Sequence, residues 1–253
     1  MSDKTQDNSP FKKPTVAVTG ASRGIGHAIV KEFHNSGWEV FTLARTPFSD
    51  VCPWAEGIVQ HIEIDLADPV SIRASMAELK RRLGNRGLNA LVNNAGISPK
   101  AEDGGRMSAT GTSLEDFQRV MMVNLMAPMM LCSELGPLQQ AKGAVVNVTS
   151  IAGQQIHPFA GSAYAVSKAG LSALTRELAF ELGDKGVRVN AVSPGEIATS
   201  ILSAGTEEMV EQQVPMKRLG SPAEVAEVVS FLCSAKASYV TGAEIPINGG
   251  QHV

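Results

Sequence analysis

The sequence predicts an α/β fold, a single parallel sheet with helices on both faces, and three observations predict it. Short apolar stretches alternate with helical stretches along the 253 residues, which is how parallel sheets are built. Several of these stretches are apolar almost throughout, Ala144-Val145-Val146 among them, as strands buried on both sides must be. The first passes directly through a glycine-rich turn into a helix.

Taken in order, Thr15-Val16-Ala17-Val18-Thr19 reads as a buried strand. Gly20 to Gly26 then opens a helix through Ile29, Val30 and Phe33 that stops at Gly37. Further strands are expected near Glu39–Ala44, Val59–Ile64, Leu88–Asn93, Ala144–Thr149, Val187–Val192 and Glu244–Ile247, about seven in all. Val120–Leu135 and Ala163–Leu182 read as helices. Ser98 to Ser113, rich in Gly, Ser and charge, is the expected long loop, and loops of that length are more often functional than passive. Glu196–Pro215 follows a Pro-Gly turn and is expected to be a mobile lid. Residues 1–13 read as a flexible lead-in, and residues 14–253 as one domain without repeats or linkers.

Hydrophobic residues make up 43% and charged residues 19%, with 24 glycines and 13 prolines. This is globular usage and excludes disordered, collagenous and coiled-coil classes. A chain of this length buries about 72% of its unfolded surface, enough for one large core. With 22 basic and 25 acidic residues, a net charge of −3 and no basic run longer than the triplet Lys80-Arg81-Arg82, no nucleic-acid partner is expected. Cys52, Cys132 and Cys233 are far apart and odd in number. They form neither a disulfide framework nor a metal motif, and read as reduced core thiols of a cytoplasmic protein with no metal. Met1 to Pro10 is polar, and no stretch approaches the roughly 18 apolar residues of a membrane span. No membrane association is expected.

The turn Thr19-Gly20-Ala21-Ser22-Arg23-Gly24-Ile25-Gly26 sets three glycines where a strand hands over to a helix. Glycine lets a pyrophosphate approach the backbone, and a helix start offers N–H donors and a favourable dipole. Alone it is also compatible with a tight structural turn. Gly20-Ala21-Ser22-Arg23-Gly24 matches the G-x-S-x-G nucleophile elbow of hydrolases as well, with His157 and His252 downstream. That reading leaves the remaining motifs unexplained.

Tyr164 and Lys168 stand four residues apart in a helical stretch and so share a face. Asn93-Asn94-Ala95-Gly96 ends one strand, Ser150 follows another, and Asn124 lies between them. Ligands of such sheets bind at the carboxyl ends of strands. On these residues the chain resembles the short-chain dehydrogenase/reductase family from about residue 14 to 250. The resemblance spans T-G-A-S-R-G-I-G at Thr19–Gly26, N-N-A-G at Asn93–Gly96, V-N-V-T-S ending at Ser150, Tyr164-x-x-x-Lys168, and P-G-E-I-A-T at Pro194–Thr199. It continues through Arg218-Leu219-Gly220-Ser221-Pro222 and Tyr239-Val240-Thr241-Gly242 to Asn248-Gly249-Gly250. Ser150 and Tyr164 are one position further apart than is common, which places an extra residue in the loop Gln154–Gly161.

The resemblance implies a Rossmann-type doubly wound sheet of seven strands and an Asn124, Ser150, Tyr164, Lys168 catalytic set acting on a carbonyl or secondary alcohol. Reduction of a carbonyl needs an acid beside the hydride source. Tyr164 fills that role only if its pKa of about 10 falls towards neutrality, and Lys168 is the cation expected to lower it. The resemblance also gives Lys168 the nicotinamide ribose, Ser150 the substrate oxygen and Asn124 a water relay. It gives Asp65 and Leu66 an adenine contact, and Pro194, Gly195, Ile197 and Thr199 the nicotinamide amide. With Gly20, Ser22, Arg23, Gly24, Ile25, Gly26, Asn94, Ala95 and Gly96, these residues make the expected coenzyme site. At the end of the second strand, where an NAD enzyme carries an acid, stands Ala44 followed by Arg45. Arg45 and Arg23 suit a 2′-phosphate, so the expected coenzyme is NADP(H). Glu196, Lys100, Arg106, His157 and Phe159 are candidate substrate contacts. A homotetramer is expected from the family. A dinucleotide-binding sensor without catalysis is the alternative, since fold alone does not fix function.

Overall fold

The computed structural model describes residues 13–47, 52, 55, 59–102, 104–134, 136, 143–199, 202 and 205–253. Its sheet has seven strands, β1 (Thr15–Thr19), β2 (Glu39–Ala44), β3 (Gln60–Glu63), β4 (Ala90–Asn93), β5 (Ala144–Val148), β6 (Arg188–Pro194) and β7 (Glu244–Ile247). All pair in parallel, in the order β3-β2-β1-β4-β5-β6-β7. The expected strands are all present. The third, fourth and fifth are shorter, because Ile64, Leu88 and Thr149 are buried but lie outside the ladder, and the sixth runs on to Pro194. The lead-in expected over residues 1–13 lies outside the described residues, Lys13 excepted.

Continuous apolar strands arise because both faces are covered. On one face Val16 and Val18 of β1, Val92 of β4 and Val146 of β5 pack against Ile29, Val30 and Phe33 of α1 (Gly24–Asn35) and Val225, Val229 and Leu232 of α7 (Pro222–Cys233). On the other, Ala17, Leu91 and Val145 meet α2 (Pro69–Leu83), α4 (Ala127–Ser133) and α5 (Ser162–Gly183) through Ile72, Met76, Leu131 and Leu178. Each strand residue therefore changes face with the pleat, and no polar face is needed. All three cysteines are buried free thiols. No helix among the described residues is long and apolar enough to cross a membrane.

The expected helix over Val120–Leu135 is broken. It appears as α3 (Leu114–Met121), a π turn at Met122–Met126 and α4, with Leu135 outside the described residues. Pro128 explains the break, because it has no N–H to return to the carbonyl of Asn124 four residues earlier.

A polar ladder crosses the otherwise apolar layer under α5. Asn93 Nδ2 donates to Asn147 Oδ1 at 2.8 Å, Asn147 Nδ2 donates to Thr175 Oγ1 at 2.9 Å, and Thr175 donates to the Leu171 carbonyl at 2.8 Å. All three side chains are buried. Asn147→Ala strips both bonds and leaves buried partners unpaired, so it is expected to cost about 2–3 kcal/mol. Urea unfolding measures this, and an unmoved midpoint would show the ladder to be neutral.

Candidate active site

The strand order reverses between β1 and β4, and a cavity of about 710 Å³ opens at the carboxyl ends of the strands there. That is the switch point at which open α/β sheets take ligands, and the volume suits an organic ligand. All the expected catalytic and coenzyme residues line it except Asn124, which stands behind its wall.

At one end lies the glycine turn. Gly20 has φ of 64°, and a Cβ on it would come 2.7 Å from Ala95 Cα; one on Gly26 would come 2.2 Å from the Gly20 carbonyl oxygen. Thr19 Oγ1 accepts the N–H groups of Asn94 and Ala95 at 3.0 and 3.1 Å, and Asn94 Nδ2 donates to the carbonyls of Thr19 and Gly20, each at 3.0 Å. The turn is thereby fixed to β4. α1 starts after Arg23 without a side-chain cap, so its first N–H groups are open to an anion. Uncapped donors, glycine backbone and a cavity of this size fit a dinucleotide pyrophosphate. Arg45, Asp65 and Leu66 line the far wall. Asp65 is exposed and accepts the Ala67 N–H at 2.9 Å, whereas the cap of α2 is Asp68.

At the other end, α5 presents Tyr164 and Lys168 one turn apart, with Lys168 Nζ 5.7 Å from the Tyr164 ring centre. Lys168 is 2% exposed and donates to the Val148 carbonyl at 2.7 Å. Burial lowers its pKa to about 8. Ser150, just past β5, accepts the Ala152 N–H at 3.2 Å and hydrogen bonds the Tyr164 hydroxyl. Ile151 also lines the cavity but carries no hydroxyl, so Ser150 supplies the hydroxyl at this place.

The Tyr164 pKa moves against expectation. Burial raises it, the Ser150 bond works against the rise, and the negative charge of Glu196 adds to it. Lys168 does not bring it down, because its ammonium is turned to the Val148 carbonyl and is itself disfavoured by burial.

The π turn places Asn124, fully buried, against the end of β4. Its Oδ1 accepts the Ile97 N–H at 2.8 Å, and its Nδ2 donates to the Ile97 carbonyl at 2.9 Å and to Ser167 Oγ at 3.0 Å. Ser167 in turn donates to the Tyr164 carbonyl at 2.7 Å. Sequence reading missed Ser167, whose only signal is its place one residue before Lys168. Gly96 keeps this corner open, since a Cβ there would stand 3.3 Å from Lys168 Nζ and 3.5 Å from Asn124 Oδ1.

The loop before α5 brings His157 to Glu196, with Nε2 and Oε1 2.6 Å apart. Both line the cavity near Tyr164. Lys100 donates to the Phe159 carbonyl at 2.6 Å and Arg106 to the Ala160 carbonyl at 2.8 Å. Arg106, expected to touch substrate, does not line the cavity and braces this loop instead. Ser22 hydrogen bonds neither candidate base of a hydrolase: among the described residues His157 is bonded to Glu196 and the Phe159 N–H, and His252 to Asn248. Of the expected lid, Leu202 and Thr206 line the cavity and Thr206–Gln213 is helical (α6), while residues 200, 201, 203 and 204 lie outside the described residues. Among the described residues no cluster of three His, Cys, Asp or Glu could hold a metal.

Comparison with known proteins agrees with this geometry. A family model described as enoyl-(acyl carrier protein) reductase matches residues 20–252. Protein FixR of Bradyrhizobium diazoefficiens is 52% identical over 238 residues, 93% of this chain and 86% of that one. A short-chain dehydrogenase/reductase family oxidoreductase from Brucella ovis, solved with a partially ordered NAD, is 51% identical. It superposes with a TM-score of 0.81 over 94% of this chain and 100% of its own. A 3-oxoacyl-[acyl-carrier protein] reductase with bound NAD from Brucella melitensis is 33% identical, with a TM-score of 0.85 over 96% and 92% of the two chains. With its seven-stranded parallel sheet and this site at the switch point, the chain belongs to the short-chain dehydrogenase/reductase family of oxidoreductases.

Proposed function

We propose that the protein interconverts a small-molecule carbonyl and its secondary alcohol with NADP(H), using Tyr164 as general acid and base. One observation carries the reading. Tyr164, Ser150 and Lys168 converge at one end of a cavity whose other end is an uncapped glycine turn flanked by Arg23 and Arg45. The bound coenzyme supplies or accepts the hydride. Ser150 holds the substrate oxygen by donating a hydrogen bond, and the Tyr164 hydroxyl gives that oxygen its proton during reduction. A raised pKa keeps Tyr164 protonated at neutral pH, which suits the acid role. Lys168 is released from the Val148 carbonyl to meet the ribose hydroxyls, and Asn124 fixes β4 against α5 so that this geometry persists.

The second strand ends at Ala44 with no acid for a ribose 2′-hydroxyl, and Arg45 and Arg23 supply charge for a 2′-phosphate. NADPH is therefore expected to give the higher kcat/KM, although the solved relatives from Brucella carry NAD. Arg45→Ala should narrow the gap about tenfold or more, an effect of the size of one charge-assisted contact. An NADH preference in the unaltered protein would overturn the assignment.

Met126, Met129, Val166 and Phe180 are exposed on the surface formed by α4, α5 and the turn before α4. Their exposure supports a homotetramer, and a monomer in light scattering at micromolar concentration would rule it out. Buried free thiols support a reducing, cytoplasmic setting.

Tyr164→Phe removes the proton donor and little volume. Turnover should fall by about 10²- to 10⁴-fold while NADPH affinity is kept. Wild-type turnover in this variant would overturn the role of Tyr164 and assign the proton to another acid. Alcohol oxidation should rise with pH as the coupled Tyr164–Lys168 pair deprotonates. Glu196 disfavours the tyrosinate by its charge, so Glu196→Gln is expected to shift that rise to lower pH. A rise moved upwards would contradict the sign.

A further inference from the structure

Glu196 and His157 take no part in the proton transfer described above, yet they form a buried pair in the wall of the cavity. Their side chains are 10% and 8% exposed. The backbone N–H of Phe159 donates to His157 Nδ1 at 3.2 Å. That nitrogen is therefore the acceptor, the proton sits on Nε2, and it is donated to Glu196 Oε1 at 2.6 Å. In this arrangement the imidazole is neutral and the pair carries the full negative charge of Glu196.

Nothing among the described residues neutralises that charge. Among the described residues, no lysine or arginine stands within ion-pair distance of Glu196. Its second carboxylate oxygen has no hydrogen-bond partner there either. Lys100, which lines the same cavity, is drawn to the Phe159 carbonyl. A carboxylate this deeply buried is costly unless paired, and the charge acts on the Tyr164 hydroxyl, which sets it within electrostatic reach of the reacting centre. The strap formed by Lys100 and Arg106 holds the carbonyls of Phe159 and Ala160, so His157 is presented to Glu196 by a braced loop.

We propose that Glu196, oriented by His157, is the charge-selecting contact of the substrate site. It receives an ammonium group carried a few bonds from the reacting carbonyl, and it turns away carbonyl compounds with a carboxylate at that place. The substrate class is thus cationic amino ketones and the corresponding amino alcohols. This rests on the carbonyl reductase reading, and the test separates the two.

Three methyl ketones of nearly equal shape differ in charge alone: the Mannich base of acetone and dimethylamine, isoamyl methyl ketone and levulinate. In the full-length protein with NADPH, kcat/KM should fall in that order at neutral pH, from cation to neutral to anion. In Glu196→Gln the ratio of cation to neutral ketone should drop at least tenfold and the ratio of anion to neutral should rise. Ratios remove the common effect of Glu196 on Tyr164. Binding of the same ketones to the protein saturated with oxidised coenzyme, where reduction cannot run, is read by titration calorimetry and should show the same ranking. A His157→Gln variant, which can still donate to Glu196, should retain more of the ranking than His157→Ala. A ranking in binding without turnover of any ketone would overturn the reductase reading and leave the role of Glu196 standing. Turnover or binding without a charge ranking, or a parallel loss for all three ketones in Glu196→Gln, would overturn the role of Glu196.

Discussion

The close approach of β1 and β4 at their carboxyl ends is the constraint on which the site depends. Backbone from Gly20 and Ala95 meets there with no room for a Cβ on Gly20, and Gly26 is as tightly held against the Gly20 carbonyl. Thr19 and Asn94 lock the contact by bonding each other's backbone. Because the two strands are joined at this point, the sheet order reverses beside it, α1 begins uncapped beside it, and Gly96 emerges beside Lys168. The phosphate end and the chemical end of the cavity are thus two sides of one contact.

From there a second set of polar contacts ties the helices to the strands. Asn124 joins the backbone after β4 to Ser167 of α5, and Asn147 joins β4 to Thr175 of the same helix. Each crosses an apolar layer where an unpaired amide would be costly, so each admits few alternative arrangements. The π turn follows from the same demand. A regular helix through Pro128 would leave the Asn124 carbonyl without its donor, and the wider turn moves the Asn124 side chain towards Ile97. Tyr164 and Lys168 are held on a helix fixed at two heights.

The site concentrates unfavourable electrostatics. A lysine is buried against a single carbonyl, a tyrosine hydroxyl is made harder to ionise, and a carboxylate is left with one neutral partner. Such groups weaken a fold and are the ones a charged or polar ligand relieves. The two large apolar clusters on either face of the sheet supply the stability that allows this.

Much of this was legible in the sequence. Strand positions follow from apolar runs such as Thr15–Thr19 and Ala144–Val148, since burial on both faces demands apolar residues regardless of partners. The glycine turn, Tyr164 with Lys168, and Ser150 were legible because their chemistry depends on spacings of a few residues. Pro128 is the local signal of the break in the Val120–Leu135 helix. What tertiary structure alone decided are contacts between residues distant in sequence. His157 reaches Glu196 across 39 positions and Asn124 reaches Ser167 across 43, and no local pattern encodes such pairings. Arg106 became a loop brace for the same reason. The direction of the Tyr164 pKa shift was likewise beyond the sequence, because the sequence places Lys168 one turn away but does not say that its ammonium is buried and turned towards the Val148 carbonyl. Local chemistry is written in local spacing, whereas burial and charge are properties of the assembled core.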